Sequence, residues 1–190
     1  MSDEAGHRAH GPWDVTEVDG PEGRMDFGAL WLRGLDGLQV QAQVDEATGS
    51  VGVITVNYGD GGLQLQAFAA PRSGGLWEEV QGKLKASVTG QGGVIEEQPG
   101  EHGVELRGRV PGQGALQPVR FVGVDGPRWF LRGLFLGRAA EPGASPELEQ
   151  VFRDLVVNRG DDAMPPGEAL PMRLPAVPGQ PPEPEAPVQA

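Results

Sequence analysis

The chain of 190 residues contains no cysteine, which excludes disulfides, thiolate metal sites and cysteine nucleophiles together. It holds only three histidines, one tyrosine and 6% aromatic residues, so its core has to rest on Val, Leu and Ala. No apolar run approaches the ~18 residues that a membrane-spanning helix needs. The opening residues MSDEAGHRAH lack the apolar stretch of a secretory signal. A soluble cytoplasmic protein is therefore expected. Positive charge is also scarce: 15 Lys and Arg against 27 Asp and Glu leave a net charge of −12. Such a surface repels phosphate on average, which argues against nucleic acid and anionic membrane as partners.

What the chain has in excess is Gly, at 31 residues, and Pro, at 18. That predicts many turns and short elements. Residues 1–24 read as a flexible acidic arm anchored by Trp13 and Val15, and 175–190 as a disordered Pro/Glu-rich tail, leaving 25–174 as the globular domain. Met25–Leu32 reads as a first short strand. Leu38, Val40, Ala42 and Val44 then alternate with Gln39, Gln41 and Gln43. With Ser50–Tyr58 and Leu63–Ala69, separated by Gly-containing turns, they predict a three-stranded antiparallel meander.

Pro71 ends the third strand, and Leu76, Trp77, Val80, Leu84 and Val88 recur at helical spacing. Ser73 is the predicted N-cap, Glu78 and Glu79 suit the first turns, and Gly90, Gly92 and Gly93 stop the helix. Strands over 94–98, 104–110, 116–124 and 128–137 follow, the last two as a central hairpin. Ser145-Pro146 then opens a second helix, Pro146–Val157. Hairpins separated by a single helix give an α+β class: one domain, a twisted antiparallel sheet with two main helices packed on it.

No metal or cofactor is expected, because His7 and His10 lie in the arm and His102 stands alone. Ser73, at a strand-to-helix corner, raises a hydrolase reading with His102 as base. The G-x-S-x-G pattern is missing, since residue 71 is Pro, and a capping role is preferred. The same corner, Arg72-Ser73-Gly74-Gly75, offers backbone N–H groups at a helix start, which suits an anion. Between Arg107 and Arg138 there are six arginines and one acid, Asp125. Arg107 and Arg109 share a face of one strand; Arg128, Phe130 and Arg132 share a face of a later one.

Arginine beside an aromatic suits recognition of a carboxylate, a phosphate or an acidic segment. Arg72, Arg107, Arg109, Arg128, Phe130 and Arg132 are thus the candidate binding residues, and no catalytic residue is assigned. The competing structural role for these arginines is pairing with Glu96, Glu97 or Glu105 across strands. The functional expectation is a non-catalytic binding or scaffold module whose Arg-rich sheet face engages a protein partner. One alternative is a carrier of a small apolar or anionic ligand, held at the Ala/Gly/Leu-rich corner of residues 67–76. The other is a hydrolase using Ser73.

Three runs, LQLQAFAAPRSGGLWEEV, RFVGVDGPRWFLRG and FRDLVVNRGDDAMPPGEALPMRLP, resemble an uncharacterised actinobacterial family, a domain of unknown function. The resemblance spans roughly Gly11–Pro175 and implies a cytosolic actinobacterial protein, without bringing an activity, substrate or catalytic residue. The order of hairpins and helices is loosely similar to the PsbP/Mog1-type α+β sandwich, an analogy of fold alone.

Overall fold

Alternation of apolar and amide side chains in 39–44 and 63–67, with glycine-marked turns between the strands, makes residues 39–69 a meander. In the computed structural model, which describes residues 8–176, this meander is β4 (Gln39–Val44), β5 (Val51–Tyr58) and β6 (Gly61–Ala69). After helix α1 (Leu76–Gly90) come β7 (Val94–Gly100), β8 (Gly103–Pro111), β9 (Leu116–Gly126) and β10 (Trp129–Gly137). The seven strands form one antiparallel sheet in the order β4-β5-β6-β10-β9-β8-β7. β10 is its middle strand, joined to β6 over the whole run from Trp129↔Ala69 to Gly137↔Gly61.

Because side chains alternate across a strand, each central strand feeds two cores. On one face Leu63, Leu65, Ala67, Trp129, Leu131 and Phe135 pack with α2 (Pro146–Asp154) through Leu148, Val151 and Phe152. On the other face Phe121 and Phe130 pack with α1 through Leu76, Trp77 and Val88. The two helices therefore lie on opposite faces of a sheet-dominated domain, so the expected α+β class holds in its coarse form.

A second, smaller sheet covers the α2 side in the order β1-β11-β3-β2. It is built from β1 (Trp13–Asp14), β2 (Arg24–Asp26), β3 (Leu30–Arg33) and β11 (Val156–Val157). Three sequence expectations change here. The single strand over 25–32 is instead a hairpin, turned at Gly28 with φ of 84°. The second helix stops at Asp154, and Val156–Val157 pairs with Trp31 and Leu30.

The predicted flexible arm is the third. From Arg8 on it is folded in: Trp13 and Asp14 run parallel to Val156 and Val157, and the buried Asp14 carboxylate accepts the indole N–H of Trp129 at 2.7 Å. Residues 1–7 of the arm, and 177–190 of the expected tail, lie outside the described residues. Toward its C-terminal side the chain straps across the end of β6. Gly167 N–H donates to Ala69, Leu170 N–H to Ala67 and Arg173 N–H to Phe27, with Leu170 and Met172 buried.

Candidate functional site

The corner before α1 is not built as its sequence suggests. Its N-cap is Gly75, in a left-handed conformation with φ of 82°, and no side chain of its own segment caps it. Ser73 stays exposed in the turn. The carboxylate of Asp125, at the end of β9, accepts instead from Leu76 N–H at 3.2 Å and Trp77 N–H at 3.4 Å. The anion that such a helix start favours is thus supplied by the chain itself. Trp77 is seated by close approach to the sheet, since a Cβ on Gly123 would meet its ring at 2.2 Å. His102 lies edge-on to the Phe152 ring at 5.3 Å, and Ser73 sits in the turn ahead of α1.

The arginines of residues 107–138 do not form one face. Arg107 stands opposite Arg120 across β8 and β9, on the α2 side, and pairs with Glu105 at 3.1 Å. Arg109 has the same parity and is exposed. Arg128 occupies the β9–β10 turn with φ of 61°, and its carbonyl accepts from Ala70 N–H at 2.9 Å. Arg72 is exposed in the turn before α1. Phe130, expected as an exposed aromatic, is completely buried, because α1 covers it: its ring is stacked between Phe68 at 5.9 Å and Trp77 at 5.8 Å. Of the six candidates, only Phe130 and Arg132 come together.

They meet in a slot of about 400 Å³ between α1, the β6–β10 pair and the strap at Pro166–Gly167. Leu76, Val80 and Leu84 recur every four residues along the wall that α1 presents, yet only Leu76 is buried; Val80 and Leu84 stay half-buried, because the slot separates them from the sheet. Phe68 and Phe130 lie on the sheet side. Arg132 also lines the slot, with its guanidinium 5.5 Å from the Phe68 ring centroid and hydrogen-bonded to the Gln66 side chain. Among the described residues it has no ion-pair partner. Burial lowers its pKa from the usual value, the effect of taking a guanidinium partly out of water. The two other charges on the slot, Glu79 and Lys83, are paired with one another at 2.5 Å.

A family model for a protein of unknown function, DUF3710, matches residues 11–180. The chain belongs to the DUF3710 family. That match takes in β1 and the terminal strap as well as the large sheet, so the folded segment before residue 24 is part of the family's domain. No curated protein matches the chain. A crystal structure of a protein from Bacteroides thetaiotaomicron VPI-5482 is similar at 12% identity and a TM-score of 0.44, over 76% of this chain. This chain spans about half of that one, at 52%.

Two further hollows bear on the choice of site. A broader one of about 600 Å³ on the other flank of α1 is lined by Trp77, Glu78, Glu97, His102 and Asp125, with no arginine or lysine. A small one of about 90 Å³ on the α2 side surrounds a charge cluster that sequence reasoning passed over. Arg120, its side chain only 5% exposed, lies 4.2 Å from the Phe135 ring centroid and pairs with Glu149 at 3.0 Å and Glu105 at 3.5 Å. With Arg107 on Glu105, two cations meet two carboxylates, and the cluster is balanced. The available signal was parity, since Arg120 falls on the same strand face as Val122 and Val124. Among the described residues, no group of three or more His, Asp and Glu is placed to hold a metal ion, and no helix is long and apolar enough to cross a membrane.

Proposed function

We propose that the protein is a non-catalytic, cytoplasmic binding module whose working site is the slot under α1. Its ligand is a small molecule with an apolar body and an anionic head, held by Arg132. The observation that carries this reading is the partly desolvated guanidinium of Arg132, which lines a largely apolar slot without an ion pair, the slot's one carboxylate, Glu79, being paired with Lys83. Even partial withdrawal of a cation from water without a counter-charge has a cost, and a bound carboxylate relieves that cost with a charge-assisted, bidentate contact. The size of the slot lies within the range of small-molecule sites, about 300–1,000 Å³. Val80 and Leu84 supply apolar surface that a ligand would cover.

Titration calorimetry with sodium decanoate and with decanol as neutral control tests the reading. Decanoate is expected to bind, decanol to bind at least about tenfold more weakly, and Arg132→Gln to abolish that preference. A tenfold loss corresponds to about 1.4 kcal/mol, the low end for a hydrogen bond to a charged group. Equal binding of both probes, or decanoate binding unchanged by Arg132→Gln, refutes the assignment. A scaffold that uses Arg107 and Arg109 instead would show no dependence on Arg132.

A further inference from the structure

The two helices begin differently. The start of α1 is closed by Asp125, whereas that of α2 is left open, beside a hollow of about 360 Å³ where the β5–β6 turn meets the helix. Close packing sets the frame: a Cβ on Gly61 would meet Ala139 Cβ at 2.9 Å and Leu148 Cδ1 at 3.2 Å, and Arg138 N–H donates to the Asp60 carbonyl at 3.3 Å. Ser145, the N-cap of α2, lines the hollow and is only 6% exposed. Serine at this position ordinarily caps the helix, yet its hydroxyl makes no cap bond and has no other partner among the described residues. Pro146 has no N–H, and those of Glu147 and Leu148 find no acceptor among the described residues either. A buried hydroxyl and the free N–H groups of a nine-residue helix thus stand together at one polar hollow.

Charges of both signs surround this space without neutralising one another. Arg138, Asp60 and Glu147 all line it, and none of them is in an ion pair among the described residues. We infer that the hollow is a binding site for a free α-amino acid, held as the zwitterion. A simple anion would be drawn to the helix start and Arg138 but repelled by two carboxylates, and a simple cation would meet the reverse. A molecule whose carboxylate and ammonium are joined through one carbon satisfies both sets. Its carboxylate accepts from the Ser145 hydroxyl, the first N–H groups of α2 and Arg138. Its ammonium donates to Asp60 and Glu147. The helix dipole favours this orientation over the opposite one. Tyr58, Ala144 and Pro146 form the apolar part of the lining and suit an aliphatic side chain. The volume falls near the lower end of the ~300–1,000 Å³ range of small-molecule sites, as a ligand of this size requires. Nothing in the site depends on the slot under α1.

Three probes separate the charges: L-leucine, 4-methylpentanoate, which lacks only the ammonium, and 3-methylbutylamine, which lacks only the carboxylate. Each is titrated into the full chain and followed by the backbone amide resonances of Gly59, Gly61 and Leu148. Leucine is expected to shift these signals saturably, and each single-charge analogue to bind at least about tenfold more weakly, the low end for losing a hydrogen bond to a charged group. Arg138→Gln should abolish the preference for leucine over the amine, and the double variant Asp60→Asn, Glu147→Gln the preference over 4-methylpentanoate. Ser145→Ala should weaken leucine binding and leave the urea midpoint unchanged, because the hydroxyl caps nothing; a purely structural serine would move the midpoint instead. Arg132→Gln, in the slot, should leave leucine binding as it is. Absence of a saturable shift with leucine overturns the inference, as do equal affinities for the three probes. Leucine binding that survives both Ser145→Ala and Arg138→Gln, or that is lost in Arg132→Gln, removes the ligand from this hollow.

Discussion

Replacing Asp14 with alanine tests whether the segment before residue 24 belongs to the folded body. The Asp14 side chain accepts from Trp129 Nε1 at 2.7 Å, from Thr16 N–H at 3.0 Å and from the Thr16 hydroxyl at 2.6 Å. It also completes a capping box with Glu17, whose carboxylate accepts Asp14 N–H at 2.6 Å. Trp129 is fully buried, so Asp14→Ala leaves its indole N–H without an acceptor, at a cost of about 1–3 kcal/mol. Loss of the cap adds about 1 kcal/mol. The sum, roughly 2–4 kcal/mol, is a large part of the ~5–15 kcal/mol that holds a domain together. Asp14→Asn keeps an acceptor for the indole and should cost only about 1 kcal/mol. Urea unfolding followed by tryptophan fluorescence and far-ultraviolet dichroism measures both. In thermal melts each kcal/mol should lower Tm by about 2–4 °C in a domain of this size. An Asp14→Ala protein within about 0.5 kcal/mol of wild type, the ordinary range of a surface change, would refute the reasoning and return the segment to the status of an arm.

Three other changes probe the two faces of the sheet. Asp125→Ala removes the cap that β9 lends to α1 and should destabilise by about 0.5–2 kcal/mol, whereas Ser73→Ala should be close to neutral in the same urea melts. Gly123→Ala forces a methyl into the Trp77 ring and is expected to cost about 1–3 kcal/mol, with a change in tryptophan fluorescence of the folded state. Arg120→Ala leaves Glu105 buried with only Arg107 to answer it and should cost about 3–5 kcal/mol; in the double variant Arg120→Met, Glu105→Leu much of that loss should return, as a double-mutant cycle would measure.

Sequence legibility followed distance along the chain. The meander 39–69 was readable because 39–44 and 63–67 alternate strictly and its turns are marked by glycine, so every signal lies within the element it defines. The small sheet was not readable. Its strands are two to four residues long, and the partner of Trp13, Val156, lies near the other end of the folded chain. The same reason hid the cap of α1, which comes from Asp125 instead of the adjacent Ser73. For the arginines, parity within a strand was legible where the strand extends: Arg107 and Arg109 share a face, and so do Phe130 and Arg132, whereas Arg128, expected with the latter pair, lies in the turn before β10. Which strand faces coincide depends on register, and Arg132 pairs with Gly123 and Gln66, so it falls on the α1 side while Arg107, opposite Arg120, falls on the other. Phe130 looked exposed between two arginines because the sequence does not say that α1 will lie across it.

The strand order has a consequence for how the chain can fold as it is made. β6 pairs along its full length with β10, whose last residue is synthesised about 70 residues later. At roughly 5–20 residues per second, the meander waits about 4–14 s for its main partner. During that interval Leu63, Leu65 and Ala67 have neither β10 nor α2 to cover them, and the long edge of β6 is open. The glutamines that alternate along β4 and β6 then keep one face of the waiting hairpins soluble. The β6–β10 pairing is what joins the β4–β6 meander and the β7–β10 meander in one sheet, and without it the domain has no central strand.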